Sequence, residues 1–189
     1  MNKPLAFGFL LTVLVCITGF RAEMAIAQTA TTPVQNVTVN PGDFKTEFMW
    51  DAKVKIGGMI MVGESKRGIR RVIPITGGTF EGPNIKGEVL PGGEDWQLVR
   101  PDGDTELYAR YLLKTNDGHV IQVINQVTVH MPKEGEKGGP YTKSVLDFEA
   151  PNNSPYDYLN HAIFLGTLKM PVLQPGEEPY VVIGVYKVN

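Results

Sequence analysis

Residues 105–130 read TELYARYLLKTNDGHVIQVINQVTVH, two β-rich runs separated by a short polar segment. Alternation of apolar and polar residues with a period of two is typical of strands that bury one face. Asp117-Gly118 lies between the runs and is among the commonest residue pairs of a two-residue type I′ turn, in which both central positions need a positive φ. The stretch therefore predicts an antiparallel β-hairpin.

The geometry of this turn sets which side chains face each other across the hairpin. A two-residue turn makes Asn116 and His119 partners, and the same register places Arg110 opposite Asn125. Both side chains then lie on a face that is otherwise apolar, which is typical of the lining of a cavity. A three-residue loop with Gly118 in the left-handed region would slip the register by one residue and separate the pair.

The rest of the chain repeats this pattern of short strands and turns. Gly-Gly, Pro-Gly-Gly and Asp-Gly sequences separate the runs, and no segment has a helical period over more than two turns. A sheet of about ten strands closes into a barrel or splits into a sandwich, because twist and unpaired edges destabilise a long open sheet. We expect an all-β fold, a single antiparallel β-barrel of about eight to ten strands, over residues 44–189. The expected strands are 44–56, 59–63, 69–75, 79–90, 95–100, 105–115, 119–130, 142–149, 159–169 and 180–188.

Composition limits the class of protein. The chain has 189 residues, of which 42% are hydrophobic and 20% charged, values typical of one globular domain. A formal net charge of −2 provides no concentrated basic surface, so neither a nucleic acid nor an anionic membrane is an expected partner. A small organic molecule is the expected partner.

The first 27 residues predict export. Lys3 precedes an apolar run from Leu5 to Phe20, and Ala25-Ile26-Ala27 is typical of a signal-peptide cleavage site. The alternative is an uncleaved anchor, but the run is shorter than the roughly 20 residues that span a bilayer. We therefore expect cleavage after Ala27, a periplasmic or secreted protein, and a flexible tether over residues 28–43.

Few residues form a recognisable chemical motif. The only cysteine, Cys16, lies in the predicted signal peptide, and the three histidines lack metal-binding spacing, so we expect no metal and no other cofactor. The glycine-rich segments 75–83 and 90–96 do not open a helix, as a phosphate-binding loop would. They are better explained as corners or bulges where a barrel strand bends.

Asp95 and Trp96 are the strongest candidates for a functional site. An indole beside a carboxyl group can raise the pKa of that group by desolvation and leave it ready to exchange a proton. The alternative is a core Trp96 with Asp95 holding the preceding turn. Arg110 inside a barrel would need a carboxylate, backbone carbonyls or a ligand anion as its partner, and Asp95 is a natural candidate.

Two longer strings resemble a known family. Residues 70–118, which include GGTFEGP and GEVLPGGEDW, and the later YDYLNHAIFLG, residues 156–166, are similar to the signature motifs of the domain-of-unknown-function 3237 family (DUF3237), also called uncharacterised protein family 0311 (UPF0311). The resemblance covers about residues 44–188 and implies a compact antiparallel β-barrel that often assembles into oligomers, with no settled activity. The polar positions that match the family pattern are Asp95, Trp96, Arg110, Asn125 and Asn160. The replacement of the family's usual Asn-Arg-Gly by NQVTVHMP weakens the inference for Asn125.

Two functions fit these candidates. The first is an enzyme without metal or cofactor, a lyase, isomerase or hydratase acting on a small oxygenated organic molecule. Asp95 would be its acid or base, Arg110 and Asn125 would steady an enolate or carboxylate, Asn160 would orient the substrate, and Trp96 would form a wall. The second is a periplasmic small-molecule-binding barrel that uses the same residues without catalysis. A structural oligomer with a filled core is a third alternative.

Overall fold

The computed structural model describes residue 42 and residues 44–189. Its regular secondary structure is almost entirely β-strand, as the alternating sequence pattern predicts. The strands are β1 (Thr46–Ile56), β2 (Ile60–Ser65), β3 (Gly68–Glu81), β4 (Lys86–Val89), β5 (Gly93–Val99), β6 (Thr105–Thr115), β7 (Val120–His130), β8 (Tyr141–Glu149), β9 (Phe164–Lys169) and β10 (Tyr180–Val188). One 3₁₀ helix, Asp157–His161, joins β8 to β9.

The predicted N-terminal segments are not part of this description. The predicted signal peptide, residues 1–27, lies outside the described residues, as does the predicted tether, residues 28–43, apart from Gly42. Within the described part of the chain, no helix has the length and apolar character needed to cross a bilayer.

The strands close into an antiparallel barrel. Neighbours run in the order β1, β10, β9, β8, β7 and β6, and β6 then pairs with both β4 and β5. These two short strands also pair with β3, and β3 pairs with β1, which completes a ring of eight positions. The remaining strand, β2, pairs with the first half of β3 outside the ring. Closure pairs the edges that an open sheet would expose, and it confirms the predicted fold.

A bend in β3 allows the ring to close. Opposite β1 the register shifts between Lys55 and Ile56, so β3 carries one extra residue at Thr76. Gly77 and Gly78 follow with φ of 137°, a conformation that side chains rarely adopt. A Cβ atom on Gly78 would lie 2.0 Å from the Lys53 carbonyl oxygen. The glycine-rich segment is thus a strand bulge, as predicted.

The predicted register of the β6–β7 hairpin is wrong by one residue. The observed partners are Lys114 with Val120, Ala109 with Asn125, and Arg110 with Ile124. The hairpin has a three-residue loop in which Gly118 has a φ of 92°, and the Thr115 amide donates to the His119 carbonyl. Because side chains alternate between faces, the slip puts Arg110 and Asn125 on opposite sides of the barrel wall.

The barrel interior has two different halves. At the end where β1 and β9 begin, aromatic side chains pack closely, with ring centroids 4.9 Å apart for Phe148 and Phe164 and 5.3 Å apart for Trp50 and Phe148. Leu159 of the 3₁₀ helix belongs to the same buried cluster as these aromatic residues. At the opposite end, where β1 and β9 terminate, the interior contains a cavity of about 80 Å³.

Candidate functional site

The interior cavity has mostly apolar walls and one polar side. Aliphatic side chains from β1, β3, β9 and β10 contribute much of its lining. The polar side chains all come from β5, β6 and β7, and they are Asp95, Gln97, Tyr111 and Asn125. Such a combination of apolar walls and a few convergent polar groups is typical of a ligand site.

Strand alternation brings these polar groups inside. In β5, Asp95 and Gln97 are two residues apart and point inward, whereas Trp96 between them is 45% exposed on the outer face. In β6, Ala109 and Tyr111 point inward in the same way. The period-two pattern of each strand therefore determines the set, once the inward face is known.

Asp95, Ala109 and Asn125 form one row across three strands. Asp95 pairs with Ala109, and Ala109 pairs with Asn125. With strands about 4.8 Å apart, the Cα atoms of the two outer residues are roughly 10 Å apart. Because alanine has only a methyl group, the row has a notch between its two polar side chains.

Two oxygen atoms in this row are buried and unpaired. Asp95 Oδ1 and Asn125 Oδ1 have no hydrogen-bond partner within the described part of the chain, and Asn125 is only 2% exposed. Buried polar atoms of native proteins nearly always have a partner, so an exception requires an explanation. A ligand or an ordered water molecule in the notch would provide one.

The other oxygen of Asp95 is fixed by a short chain of hydrogen bonds. Gln97 Nε2 donates to Asp95 Oδ2 at 2.6 Å, and Arg71 Nε donates to Gln97 Oε1 at 2.7 Å. Burial raises the pKa of Asp95, while the bond from Gln97, the Tyr108 backbone and the charge of Arg71 act in the opposite direction. The result is an oriented carboxyl group with a raised pKa and one free oxygen.

Tyr111 is a further polar residue in the lining of the cavity. The residue is 5% exposed, and burial raises the pKa of its hydroxyl, so that the hydroxyl remains protonated at neutral pH. A protonated phenol can both donate and accept a hydrogen bond. The cavity therefore offers a carboxyl, two amides and a phenol to a ligand.

Trp96 and Arg110 lie on the outside of the barrel. Trp96 Nε1 donates to Glu94 Oε2 at 2.9 Å, and Arg110 Nε donates to Gln122 Oε1 at 2.9 Å. The predicted wall for Asp95 and the predicted contact between Asp95 and Arg110 are therefore wrong. Trp96 is adjacent to Asp95 in sequence and so faces the other way, and the register slip moves Arg110 outward.

Asn160 has a structural environment at the packed end. Its Oδ1 accepts from the Ala150 amide at 2.8 Å, and its Nδ2 donates to the Ala150 carbonyl at 3.0 Å. These bonds attach the 3₁₀ helix to the end of β8. The predicted role in orienting a ligand inside the barrel does not fit this position. Of the five predicted site residues, the structure brings together Asp95 and Asn125.

Several residues of the cavity were not among the predicted site residues. Gln97 was detectable, because it is two residues from Asp95 in a strand and must share its face. Tyr111 and Ala109 required the correct hairpin register. Arg71 acts through Gln97 from a neighbouring strand, and local sequence spacing does not reveal such a contact.

The described residues contain no cluster of three or more His, Cys, Asp or Glu side chains that could hold a metal ion. The side chains that line the cavity can form hydrogen bonds with a ligand and exchange a proton with it.

The fold and the cavity define a class: a closed antiparallel β-barrel with a packed end and a polar-sided cavity at the other end. The profile of the family described as protein of unknown function (DUF3237) matches residues 44–188. The chain belongs to this family, as its sequence motifs predict.

Relatives of known sequence agree with this assignment. A UPF0311 protein of Rhodopseudomonas palustris is 33% identical over 135 residues, which cover 65% of this chain and 86% of the relative. The crystal structure of a conserved protein of unknown function from the same organism has a TM-score of 0.68 and 31% identity, and the match covers 80% of this chain and all of that chain. A hydroalkoxylation enzyme of Penicillium herquei is 28% identical over 121 residues, which cover 64% of this chain and 72% of the relative.

Proposed function

We propose that this protein is an enzyme without metal or organic cofactor, a lyase, isomerase or hydratase, that moves a proton on a small oxygenated organic molecule bound in the cavity. The proposal rests on the hydrogen bonding and burial of the Asp95 carboxyl group. One oxygen is held by Gln97, and the other is unpaired at the cavity surface. An oriented, partly buried carboxyl group with a raised pKa is what general acid–base catalysis requires.

The surrounding groups have complementary roles in this proposal. Asp95 Oδ1 accepts a proton from the substrate and later returns it to another atom of the same molecule or to the product. The Asn125 amide and the Tyr111 hydroxyl hydrogen-bond the substrate oxygen. The apolar walls exclude bulk water, which strengthens these interactions. Gln97 and Arg71 are positioning residues, since they act through the Asp95 carboxyl group.

The Penicillium herquei relative supports this class of reaction. Its name describes a hydroalkoxylation, a reaction in which an O–H bond adds across a carbon–carbon multiple bond. Such an addition transfers one proton between oxygen and carbon, as a hydratase or an isomerase also does. It has no inherent need for a redox cofactor.

A decisive experiment identifies the ligand and then follows the proton. Native mass spectrometry of the protein purified from its own host detects a retained molecule, which is then incubated with the protein in D₂O. We expect deuterium incorporation or turnover with the wild type and with Glu94→Gln. Asp95→Asn should reduce the rate by roughly 10²–10⁴-fold.

Glu94→Gln is a matched control, because it removes a carboxylate one residue away on the outer face of β5. Equal rates for Asp95→Asn and the wild type would refute the assignment of Asp95.

The second candidate function is a binding barrel without catalysis. The mostly apolar wall of the cavity favours it, because retention of a ligand needs burial but no proton exchange. Binding of the retained molecule without any deuterium exchange, and with only a loss of affinity in Asp95→Asn, would establish this alternative.

We also propose that the protein is exported, with cleavage after Ala27, and acts in the periplasm or outside the cell. The apolar run and the small residues before Gln28 support this proposal. Intact-mass measurement of the protein from its own host should give a chain that begins at Gln28. A mass that includes residues 1–27 would contradict it. Homo-oligomer formation stays a prediction, which analytical ultracentrifugation can test.

A further inference from the structure

Few charged side chains of the described residues border the cavity. Among its lining residues Asp95 is the only one that carries a formal charge, and none is lysine, arginine or histidine. Arg71 is the basic group that reaches this region, and its Nε is already bonded to Gln97. A carboxylate or phosphate would lose its hydration beside an acidic group, and the nearest positive charge, that of Arg71, already interacts with Asp95 and Gln97. The lining favours an uncharged ligand.

The unpaired atoms of the cavity require a hydrogen-bond donor. Asn125 Oδ1 and Asp95 Oδ1 are the buried atoms without a partner in this row, and both are acceptors when Asp95 is ionised. Ala109 lies between them in the register and leaves the space above its methyl group free. A hydroxyl group in this notch would donate to one oxygen and restore the pairing that buried polar groups normally have.

The size and rim of the cavity indicate the rest of the ligand. Its volume of about 80 Å³ is smaller than the roughly 150 Å³ cavity that encloses a benzene ring. Only a slim head group fits inside, and a longer molecule must extend past the rim. Leu168 and Met170 line the cavity at that side, and Met170 is 74% exposed. The exit is therefore apolar.

We propose that the cavity takes an uncharged aliphatic alcohol. Its hydroxyl group donates in the notch between Asp95 and Asn125, and its hydrocarbon chain leaves along Leu168 and Met170. This inference uses the same cavity as the proposed function and names the chemical class of the substrate, but it concerns binding alone.

Three probes of equal length test the proposal: 1-hexanol, 1-methoxypentane and hexanoate. The ether has the same atoms as the alcohol but cannot donate a hydrogen bond, and hexanoate is charged at pH 7. Affinities are measured by titration of ¹⁵N-labelled protein and observation of its amide NMR signals. We expect 1-hexanol to bind at least about tenfold more tightly than either analogue, since one well-made hydrogen bond is worth about that factor. Equal or tighter binding of hexanoate or of the ether would overturn the proposal.

Variants locate the bound hydroxyl group. Asn125→Leu keeps the size of the side chain and removes its acceptor, so the preference for 1-hexanol over 1-methoxypentane should fall by at least threefold. Gln126→Leu is the matched control on the outer face of the same strand and should leave the preference unchanged. An unchanged preference in Asn125→Leu would overturn the placement of the hydroxyl.

A second variant keeps the test valid if Asn125→Leu does not fold. Ala109→Val fills the notch without changing any polar group, and it should abolish saturable binding of 1-hexanol while the circular dichroism spectrum stays that of the wild type. Full retention of binding in folded Ala109→Val would contradict the proposed position.

The length of the alcohol tests the exit path. From 1-butanol to 1-hexanol each added CH₂ should improve affinity, by at most the roughly fourfold that complete burial of a CH₂ group gives. Beyond 1-hexanol the gain per CH₂ should decrease and should depend on Met170, so that Met170→Ser reduces it further. No dependence on chain length would exclude an apolar exit.

The outcomes separate this inference from the proposed function. Selective binding of 1-hexanol, together with no deuterium exchange on any retained ligand, would support the alcohol site and remove the catalytic role. Turnover of a carboxylate substrate that depends on Asp95 would support the catalytic role and exclude the alcohol site.

Discussion

At the scale of single residues, Asp95 combines a functional arrangement with a cost in stability. Burial raises its pKa, so the folded protein holds this proton to a higher pH than the unfolded chain does. The raised pKa means that the folded state favours the protonated carboxyl group of Asp95. The stability that this preference provides is fully present below the unfolded pKa, near 3.8, and is lost as the pH rises through the folded pKa. Active-site groups often reduce stability in this way.

Asp95→Asn should consequently raise the melting temperature at pH 7 and have no such effect near pH 3. The amide can still accept the bond from Gln97 but has no charge to desolvate. Thermal unfolding followed by circular dichroism between pH 3 and pH 8 checks this, with Glu94→Gln as the control. A lower melting temperature for Asp95→Asn at pH 7 would contradict the assigned cause of the pKa shift.

Asn160 illustrates a residue whose family motif reflects structure. Its amide satisfies both the N–H and the C=O of Ala150, and loss of a partner for a buried backbone group costs about 1–3 kcal/mol. Asn160→Ala should therefore lower the free energy of unfolding by roughly 2 kcal/mol and leave the binding of 1-hexanol unchanged.

Urea unfolding and the NMR titration together measure both effects, and His161→Ala, at a largely exposed neighbour, is the control. A stable Asn160→Ala protein with impaired binding would restore the predicted role of Asn160 in ligand orientation.

At the scale of elements, one histidine connects two loops at the cavity end of the barrel. His130, the last residue of β7, has its Nδ1 2.6 Å from Asp104 Oδ1 in the β5–β6 turn. Its Nε2 is 3.8 Å from Glu136 Oε2 in the β7–β8 loop, where Glu136 also accepts from the Lys133 amide at 2.7 Å. The hydrogen bond and the negative charges of Asp104, Glu136 and Asp102 raise the pKa of His130.

This arrangement predicts a loop whose order depends on pH. The folded pKa of His130 lies above its unfolded value of about 6.5. The stabilisation of the two loops by protonated His130 is therefore complete below pH 6.5 and decreases as the pH rises through the folded pKa. Amides of residues 131–140, after correction for intrinsic rates, should exchange hydrogen faster at pH 8.5 than at pH 5.5. His130→Gln should remove this difference, and a difference that persists in the variant would exclude His130 as its source.

At the scale of the whole molecule, the packed and open halves of the barrel should respond differently to loss of volume. Phe148 is 3% exposed and contacts Trp50 and Phe164, so Phe148→Ala should cost about 3–5 kcal/mol. Leu168 already borders a cavity and is only partly buried, so Leu168→Ala should cost about 1–2 kcal/mol.

Urea denaturation of both variants measures the difference. Equal losses would mean that the cavity half is as tightly packed as the aromatic half, which would also weaken the proposed ligand site.

Local patterns predicted the class and outline of this molecule. Most strand positions, the bulge at Gly77-Gly78 and the family motifs follow from nearest neighbours along the chain, since period-two alternation and positive φ are local properties. Two expected strand divisions were wrong: β3 continues through Gly77-Gly78 to Glu81 and β4 is separate, and the expected strand 159–169 begins with the end of the 3₁₀ helix. The candidate site was predicted in part. Asp95 and Asn125 were found, whereas Trp96, Arg110 and Asn160 were assigned to a cavity that they do not line.

The amino-acid pattern alone was sufficient to predict an all-β fold, the family, and Asp95 as a candidate functional carboxyl group. The three-dimensional fold was needed to establish which face each side chain occupies, because a three-residue loop instead of a two-residue turn moves every residue of a strand to the other side. It also decided that one half of the barrel is filled and the other half is open. That difference depends on the summed volumes of side chains from strands far apart in the chain, and no local pattern records such a sum.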